Sequence, residues 1–379
     1  MIIMAKRGRQ QCFYSFNAFY QLVKMAIWVK TMYRTEAEVV GDAMRVLTEL
    51  FSKVGETRVN KEVELRKGRR VDFLVTLKTG NKTVKVVCEV KALGEPRIIS
   101  QTAVQLNEYS KLADNAYPVF VAPYVSERGR EVCKSLGIGF VDLVGNAYLK
   151  FGSVFIEKFA KEAPKREQRL LKSIFAPKAT RVIRKMLAMP EKKWTLQPLA
   201  DAAGVSLAQA FKVVKKLESQ NFATREEGKI RLINPGELLN LWAQAHDFSK
   251  NKITGYYTRE KGAALFNKLA ELGKKKRLRY GLTLMAGASL VAPFVRSSDV
   301  HLYIAKNQKQ WVDQLDLEEV EFGGNVFLIQ PADEGVFFDM QEIDGIKVVS
   351  NLQIYLDLVK YPARGKEQAE FLRKEKMKF

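Results

Sequence analysis

A Gly80-Asn81 pair between two short β-rich runs constrains the fold of this chain most strongly. Gly-Asn between two such runs is typical of a tight β-hairpin turn. If these two residues form the turn, Thr79 faces Lys82 across the hairpin. The same register places Asp72 opposite Glu89, so the sequence predicts that two carboxylates are cross-strand neighbours.

The hairpin lies within a series of helical and strand-like patterns that starts at a capping box, Thr35-Glu36-Ala37-Glu38. Apolar residues at helical spacing follow this box. The β-rich runs are residues 59–65, 71–77, 84–90, 117–122, 139–143 and 147–151, and the helical patterns are residues 99–113 and 126–136. Strands that alternate with helices predict an α/β domain, which we expect to span residues 35–160.

Charged side chains converge at one end of the predicted hairpin. Because side chains alternate along a strand, Glu89 and Lys91 point to the same face, where Asp72 joins them. Burying an unpaired charge is costly, and Mg²⁺ or Mn²⁺ held by carboxylate oxygens would compensate that cost. A nearby lysine can orient or deprotonate a water and stabilise phosphate charge. The alternative is a solvated cluster of ion pairs.

These residues resemble the motif of the PD-(D/E)XK phosphodiesterase superfamily, here as Asp72 and then Glu89-Val90-Lys91, with Val71 in place of the family's proline. Gln105 and Tyr109 are similar to the Gln-x-x-x-Tyr motif of its RecB-type branch. The resemblance implies a restriction-endonuclease-like domain whose catalytic residues are Asp72, Glu89, Lys91, Gln105 and Tyr109. Tyr109 is alternatively an ordinary core aromatic.

The same resemblance implies a metal site that an acid from the preceding helix completes. The predicted ligands of Mg²⁺ or Mn²⁺ are Asp72, Glu89 and Glu38, with Glu36 and Asp42 as substitutes for Glu38. Glu38 alternatively serves only as the carboxylate of the capping box. A domain that keeps the nuclease fold can also lose its activity and bind DNA without cutting it.

Residues 179–235 have the pattern of a winged helix-turn-helix. Helices are predicted at residues 179–189, 196–203 and 207–219, and a two-stranded wing is predicted around Glu227-Gly228. The predicted DNA contacts are Ser206, Gln209, Lys212, Lys215 and Lys216 on the last helix, and Arg225, Lys229 and Arg231 in the wing. The alternatives are a plain helical hairpin or a winged helix that docks a protein, and the wing cations are alternatively ordinary surface charge.

The C-terminal part of the chain resembles AbiEi-type proteins, which are regulators associated with type IV toxin–antitoxin systems. This resemblance covers most of the region from Thr180 to the end. The segments that carry it include 323–326, 333–337 and 350–358. The resemblance implies regulation of transcription and a cognate toxin or other protein partner. Together with the nuclease-like motif, it predicts a DNA-binding protein with a metal-dependent nuclease-like site that acts in regulation or defence of a mobile element. The alternatives are a non-cleaving AbiEi-type regulator or antitoxin that binds operator DNA, and a scaffold for a protein partner.

Residues 236–379 also contain a nucleotidyltransferase-like signature, in which Gly287-Ala288-Ser289 is followed by Asp299-Val300-His301. His301 stands where that family needs a second carboxylate for its metal. We therefore expect an α/β domain of nucleotidyltransferase-like fold without transfer activity. A strand with an incidental aspartate is the alternative.

The formal net charge of +21 makes nucleic acid the leading partner, because the chain attracts any polyanion. A solubilising positive surface and affinity for anionic lipid are the alternatives. Three cysteines without metal-ligand spacing favour a reducing cytoplasm, and two histidines make a zinc site hard to build.

Amino-acid composition gives the predictions for the two remaining segments. Residues 1–34 form a basic, aromatic extension that polar residues interrupt too often for a membrane span, and no signal-peptide cleavage site follows. Residues 161–178 are predicted to be a charged linker. The oligomeric state is left open, with a homodimer as one option.

Overall fold

The computed structural model describes residues 36–79, 82–152, 154–159, 174–260, 262–274, 278–362 and 364–379, together with the backbone of three short strands before residue 12. Most of the predicted N-terminal extension, most of the predicted linker and the Gly80-Asn81 turn lie outside the described residues. The chain divides into two compact units, one of residues 1–171 with 218–221 and one of residues 172–217 with 222–379.

The first unit is an α/β structure. Its elements are β1 (Ile3–Met4), β2 (Lys6–Arg7), β3 (Gln10–Gln11), α1 (Glu36–Ser52), β4 (Glu56–Glu64), β5 (Arg70–Thr79), β6 (Lys82–Val90), α2 (Pro96–Leu112), β7 (Tyr117–Ala122), α3 (Glu127–Ser135), β8 (Gly139–Asp142), β9 (Ala147–Phe151) and β10 (Val154–Lys158). In the described part of the chain, eight strands form a mixed sheet in the order β1-β10-β9-β8-β7-β6-β5-β4. The central pairs β6–β7 and β7–β8 are parallel.

The hairpin register is the one that the sequence predicts. Strands β5 and β6 pair antiparallel from Phe73 opposite Cys88 to Thr79 opposite Lys82. Continuing that register by one residue brings Asp72 beside Glu89. Glu62 of β4 has a φ of 52°, and the pairing of β4 with β5 is interrupted there, between Lys61 opposite Phe73 and Val63 opposite Val71, with the register unchanged.

Helices cover both faces of this sheet. The apolar residues of α1 pack with Phe73, Val75 and Val86 in one core, whereas those of α2 pack with Val87 and Phe120 in another. Burial on both faces explains why the central strands are nearly continuous apolar runs. The polar residues Asp72 and Glu89 are therefore exceptions near the end of an apolar hairpin.

The second unit is also mixed α/β. Its elements are α4 (Pro177–Ala188), α5 (Leu196–Ala203), α6 (Leu207–Ser219), β11 (Ala223–Glu226), β12 (Lys229–Leu232), α7 (Pro235–Ala245), β13 (Lys252–Tyr257), α8 (Ala263–Lys274), β14 (Tyr280–Thr283), α9 (Leu284–Val291), β15 (Val300–Ile304), α10 (Gln308–Leu315), β16 (Glu318–Glu319), β17 (Val326–Gln330), β18 (Gln341–Ile343), β19 (Ile346–Val348), α11 (Asn351–Leu358) and α12 (Gly365–Leu372).

Within the described residues of this unit, β11 pairs with β12, and seven further strands form a sheet in the order β16-β13-β17-β15-β14-β19-β18. Pro235, predicted to lie at a domain boundary, is in the first turn of α7. Buried apolar residues before and after it, such as Val182, Trp242 and Leu356, belong to one continuous core. The coarse prediction of a mixed α/β, multidomain chain is confirmed. Among the described residues, no helix is both long and apolar enough to cross a membrane.

Candidate functional site

The hairpin end brings together the charged residues that the sequence singles out. Asp72 Oδ2 accepts a hydrogen bond from the Val90 amide at 2.7 Å. Lys91 Nζ lies 2.7 Å from Glu89 Oε1 and 3.4 Å from Glu36 Oε1. Glu89 is 5% exposed. The arrangement is therefore a largely buried cluster of two hairpin carboxylates and one ammonium group, with Glu36 of α1 at its rim.

Burial sets the protonation behaviour of the cluster. Loss of hydration raises the pKa of Asp72 and that of Glu89, against the opposing effects of the Val90 amide and of Lys91. For Lys91, burial acts to lower the pKa, but the hydrogen bond to Glu89 and the nearby carboxylates outweigh it and raise the pKa. Lys91 is thus a cation at neutral pH. It can orient a water or stabilise phosphate charge, but it is poorly suited to remove a proton.

One carboxylate oxygen of the cluster is left without a partner. Glu89 Oε2 is buried and accepts no hydrogen bond from the described residues. A divalent cation is one group that would satisfy such an oxygen, and Asp72 and Glu89 are the residues that would hold it. However, among the described residues no group of three or more His, Cys, Asp or Glu side chains is placed to hold a metal ion.

The other residues predicted for this site lie on α1 and α2. Glu38 is exposed on α1, and Asp42 pairs with Arg45 at 2.7 Å. Glu36, named only as a substitute, is the helix acid that reaches Lys91. On α2, Gln105 Nε2 donates to Tyr109 Oη at 2.6 Å. Tyr109 is also part of the apolar core on that face of the sheet.

The predicted helix-turn-helix consists of α5 and α6 with a short turn between them. Gly204 ends α5 in the left-handed conformation, with a φ of 60°. Ser206 Oγ caps α6 by accepting a hydrogen bond from the Gln209 amide at 3.2 Å. The inner face of α6 is buried through Ala210, Val213, Val214 and Leu217.

The outer face of α6 differs from the predicted set of contacts. Lys212 and Lys215 are exposed, whereas Gln209 and Lys216 are half-buried. This face also presents two apolar side chains, Leu207 and Phe211, which are 45% and 44% exposed. The sequence prediction missed them because apolar residues in an amphipathic helix are ordinarily assigned to the core. Their offset from the buried stripe is the signal that would have found them.

The residues of the predicted wing form the antiparallel pair β11–β12. Of its predicted DNA contacts, Arg225 and Lys229 are exposed. Arg231 pairs with Glu226 at 3.2 Å. The wing therefore carries acidic as well as basic groups, and its net charge is weaker than its cations alone suggest.

The nucleotidyltransferase-like signature is divided between two elements, with Gly287-Ala288-Ser289 inside α9 and Asp299-Val300-His301 at the start of β15. His301 is buried, stacks on Phe327 with ring centroids 4.5 Å apart, and has a pKa that burial lowers to about 4. Asp299 lies just before the strand and is half-buried. Ser289 Oγ donates to the Ala286 carbonyl at 2.8 Å, within its own helix. The hydroxyl of Ser289 is therefore used in a hydrogen bond within its own helix. His301 packs as a neutral aromatic ring.

A buried polar network in the second unit was not predicted from the sequence. Arg184 of α4 donates to Gln353 Oε1 at 2.5 Å, and Gln353 Nε2 donates to Asp357 Oδ1 at 2.7 Å. Asp357 also accepts from Thr283 at 2.6 Å and lies 3.1 Å from His246 Nε2. Gln353 and Asp357 stand four residues apart in the mostly apolar helix α11, and this spacing is the sequence signal that would have indicated the network.

Comparison with known proteins gives one match, to part of the chain. Residues 231–378 match the model of a family described as "Transcriptional regulator, AbiEi antitoxin, Type IV TA system". The predicted AbiEi-type resemblance is thereby confirmed for those residues, while residues 180–230 lie outside the match. The chain matches no curated protein and no solved structure. The comparisons give no support for a nuclease domain.

Proposed function

We propose that the protein is a DNA-binding transcriptional regulator of the antitoxin type, and that α6 and the β11–β12 wing provide its contacts to DNA. The observation that carries this proposal is the match of residues 231–378 to a family of transcriptional regulators and antitoxins. The formal net charge of +21 and the exposed Lys212 and Lys215 on α6 support DNA as the ligand.

The proposal is tested with a Lys212→Ala/Lys215→Ala variant and a DNA duplex from upstream of the protein's own gene. We expect weaker binding, and a plot of log affinity against log salt concentration whose slope is shallower by about two, since each lost phosphate contact removes roughly 0.9. Gel-shift titrations at several salt concentrations measure both quantities.

The matched control is Lys306→Ala/Lys309→Ala, which removes the same charge from two exposed positions near the start of α10. This variant should keep the affinity of the wild type. Equal losses in both double variants would mean that binding reflects total charge, and failure of the wild type to protect any upstream DNA would overturn the proposal.

A protein partner belongs to the same proposal. The family description names an antitoxin of a toxin–antitoxin system, and we propose a cognate toxin as the partner and a homodimer as the form that binds DNA. A partner held by direct contacts should co-purify in high salt, where phosphate-driven association is lost. Light scattering of the purified protein would establish the oligomeric state.

Metal-dependent cleavage of phosphodiester bonds is a second candidate function, favoured by the unpartnered Glu89 Oε2 beside Asp72 and Lys91. Asp72 and Glu89 would hold Mg²⁺ or Mn²⁺, which would supply an activated water and neutralise phosphate charge. Lys91 would hold the Glu89 carboxylate in place and add positive charge beside the phosphate.

Cleavage is tested by incubating linear, supercoiled and branched DNA with the protein, with and without Mg²⁺. We expect Asp72→Ala and Lys91→Ala to lose nicking by at least about 100-fold while DNA affinity changes little, because neither substitution alters the residues of α6 that are proposed to bind DNA. Lys82→Ala, at the exposed other end of β6, is the control. Nicking that persists in both site variants would assign it to a contaminant.

A further inference from the structure

Two apolar side chains stand on the outer face of α6. Leu207 and Phe211 are separated by four residues, so they lie above one another on the same side of the helix. The pair lies beside the core side of the helix, which is filled by residues such as Val213 and Val214 that are at most 2% exposed. The outward position of both side chains is therefore fixed by the packing of the helix.

The charged side chains nearest to this apolar pair along the helix are positive. Lys212 and Lys215 are exposed, Lys215 stands four residues after Phe211, and residues 207–217 include no aspartate or glutamate, with Glu218 in the last turn. An apolar contact framed by ammonium groups is complementary to a surface that is apolar at its centre and anionic at its edges. The major groove of DNA has this arrangement where thymine methyl groups lie between two phosphate backbones.

A protein partner fits this face less well. Two half-exposed side chains offer far less area than the roughly 800 Å² per partner of a stable protein interface. Lysine is also depleted at the centres of protein interfaces. The combination of a small apolar surface with flanking lysines therefore favours DNA as the occupant.

We infer that Leu207 and Phe211 contact the 5-methyl groups of thymine bases in the major groove and so select DNA sequence. This inference rests on the proposed function. Four helical residues rise about 6 Å, which is close to two base-pair steps of about 3.4 Å. The two side chains therefore reach thymines at neighbouring or next-neighbouring steps, while Lys212 and Lys215 contact phosphates.

The experiment uses the full-length protein and duplexes selected from a random library. Thymines enriched in the selected duplexes are replaced singly by uracil, which differs only in lacking the methyl group. For the wild type we expect about a fourfold loss of affinity at each contacted thymine, the value of one buried methyl group. Phe211→Ala should bind the thymine duplex more weakly than the wild type does. Its affinity should not fall further when uracil replaces the thymine that Phe211 contacts.

Leu207→Ala should abolish the uracil effect at the second position only, and Phe322→Ala, at an apolar residue that is 86% exposed elsewhere, should retain both effects. Thermal unfolding of each variant controls for folding. Sequence-specific binding with no uracil effect, or an undiminished effect in Phe211→Ala, would overturn the inference and leave the proposed function intact. Failure of the wild type to enrich any duplex would overturn both.

Discussion

At the scale of single residues, burial determines what the titratable groups can do. Lys91 stays a cation because its carboxylate neighbours outweigh its own loss of hydration. His301 is held neutral because the residues around it exclude water, and its ring packs against Phe327 as an aromatic surface. Two residues that the sequence marks for chemistry therefore differ, since one keeps its charge in a cluster and the other loses it in a core.

His301 makes the stability of the protein depend on pH. Its pKa is about 4 in the folded chain against 6.5 for an ordinary histidine, because burial disfavours the charged ring. The free energy of unfolding is therefore unaffected by His301 above pH 6.5. It falls by up to about 3 kcal/mol as the pH falls towards 4, because the unfolded chain then binds a proton that the buried ring does not. We expect His301→Phe to remove this loss while keeping the stack on Phe327. Denaturant unfolding at pH 7 and pH 4 measures it.

The comparison must be made between wild type and variant, because Asp142 acts in the opposite direction. Burial raises the pKa of Asp142 to about 6, although Asn146 and the Val125 amide donate hydrogen bonds to it. Its contribution is present below pH 3.8 and is lost as the pH rises through 6. A His301→Phe protein with the same pH dependence as the wild type would contradict the prediction.

At the scale of elements, the sequence predicts best where local chemistry decides the structure. The β5–β6 register follows from the Gly80-Asn81 pair, and α5 and α6 follow from their apolar spacing around Gly204. Which helix acid reaches Lys91 depends instead on how α1 packs against the sheet, and in the structure it is Glu36, at 3.4 Å. The Arg184–Gln353 contact joins residues too far apart in the chain for local patterns to reveal.

Gly204 gives a test of the turn between α5 and α6. Its φ of 60° strains any residue that has a Cβ atom, so Gly204→Ala should lower the free energy of unfolding by about 1 kcal/mol. The control is Gly41→Ala on the exposed face of α1, where an added Cβ meets nothing within 4 Å. That substitution should stabilise by up to about 1 kcal/mol. Denaturant unfolding measures both, and equal signs would contradict the assignment.

At the scale of the whole molecule, the family match and the folding units have different limits. The match begins at Arg231, inside β12, whereas the compact unit that contains it begins at Lys172. Arg184 and Trp242, on opposite sides of that limit in sequence, contact each other through a cation–π interaction at 5.0 Å. Sequence similarity thus identifies a stretch that is shorter than the body it folds with.

Trp194 and Ile230 form an isolated antiparallel β-bridge, which matters for anyone who expresses parts of this chain. Each backbone amide donates to the other's carbonyl, at 2.7 and 2.6 Å, and both side chains are buried. A fragment that begins at the start of the family match lacks this bridge. It would have an open strand edge and exposed apolar surface, a combination that promotes aggregation. A fragment that begins before Ile174 keeps the bridge.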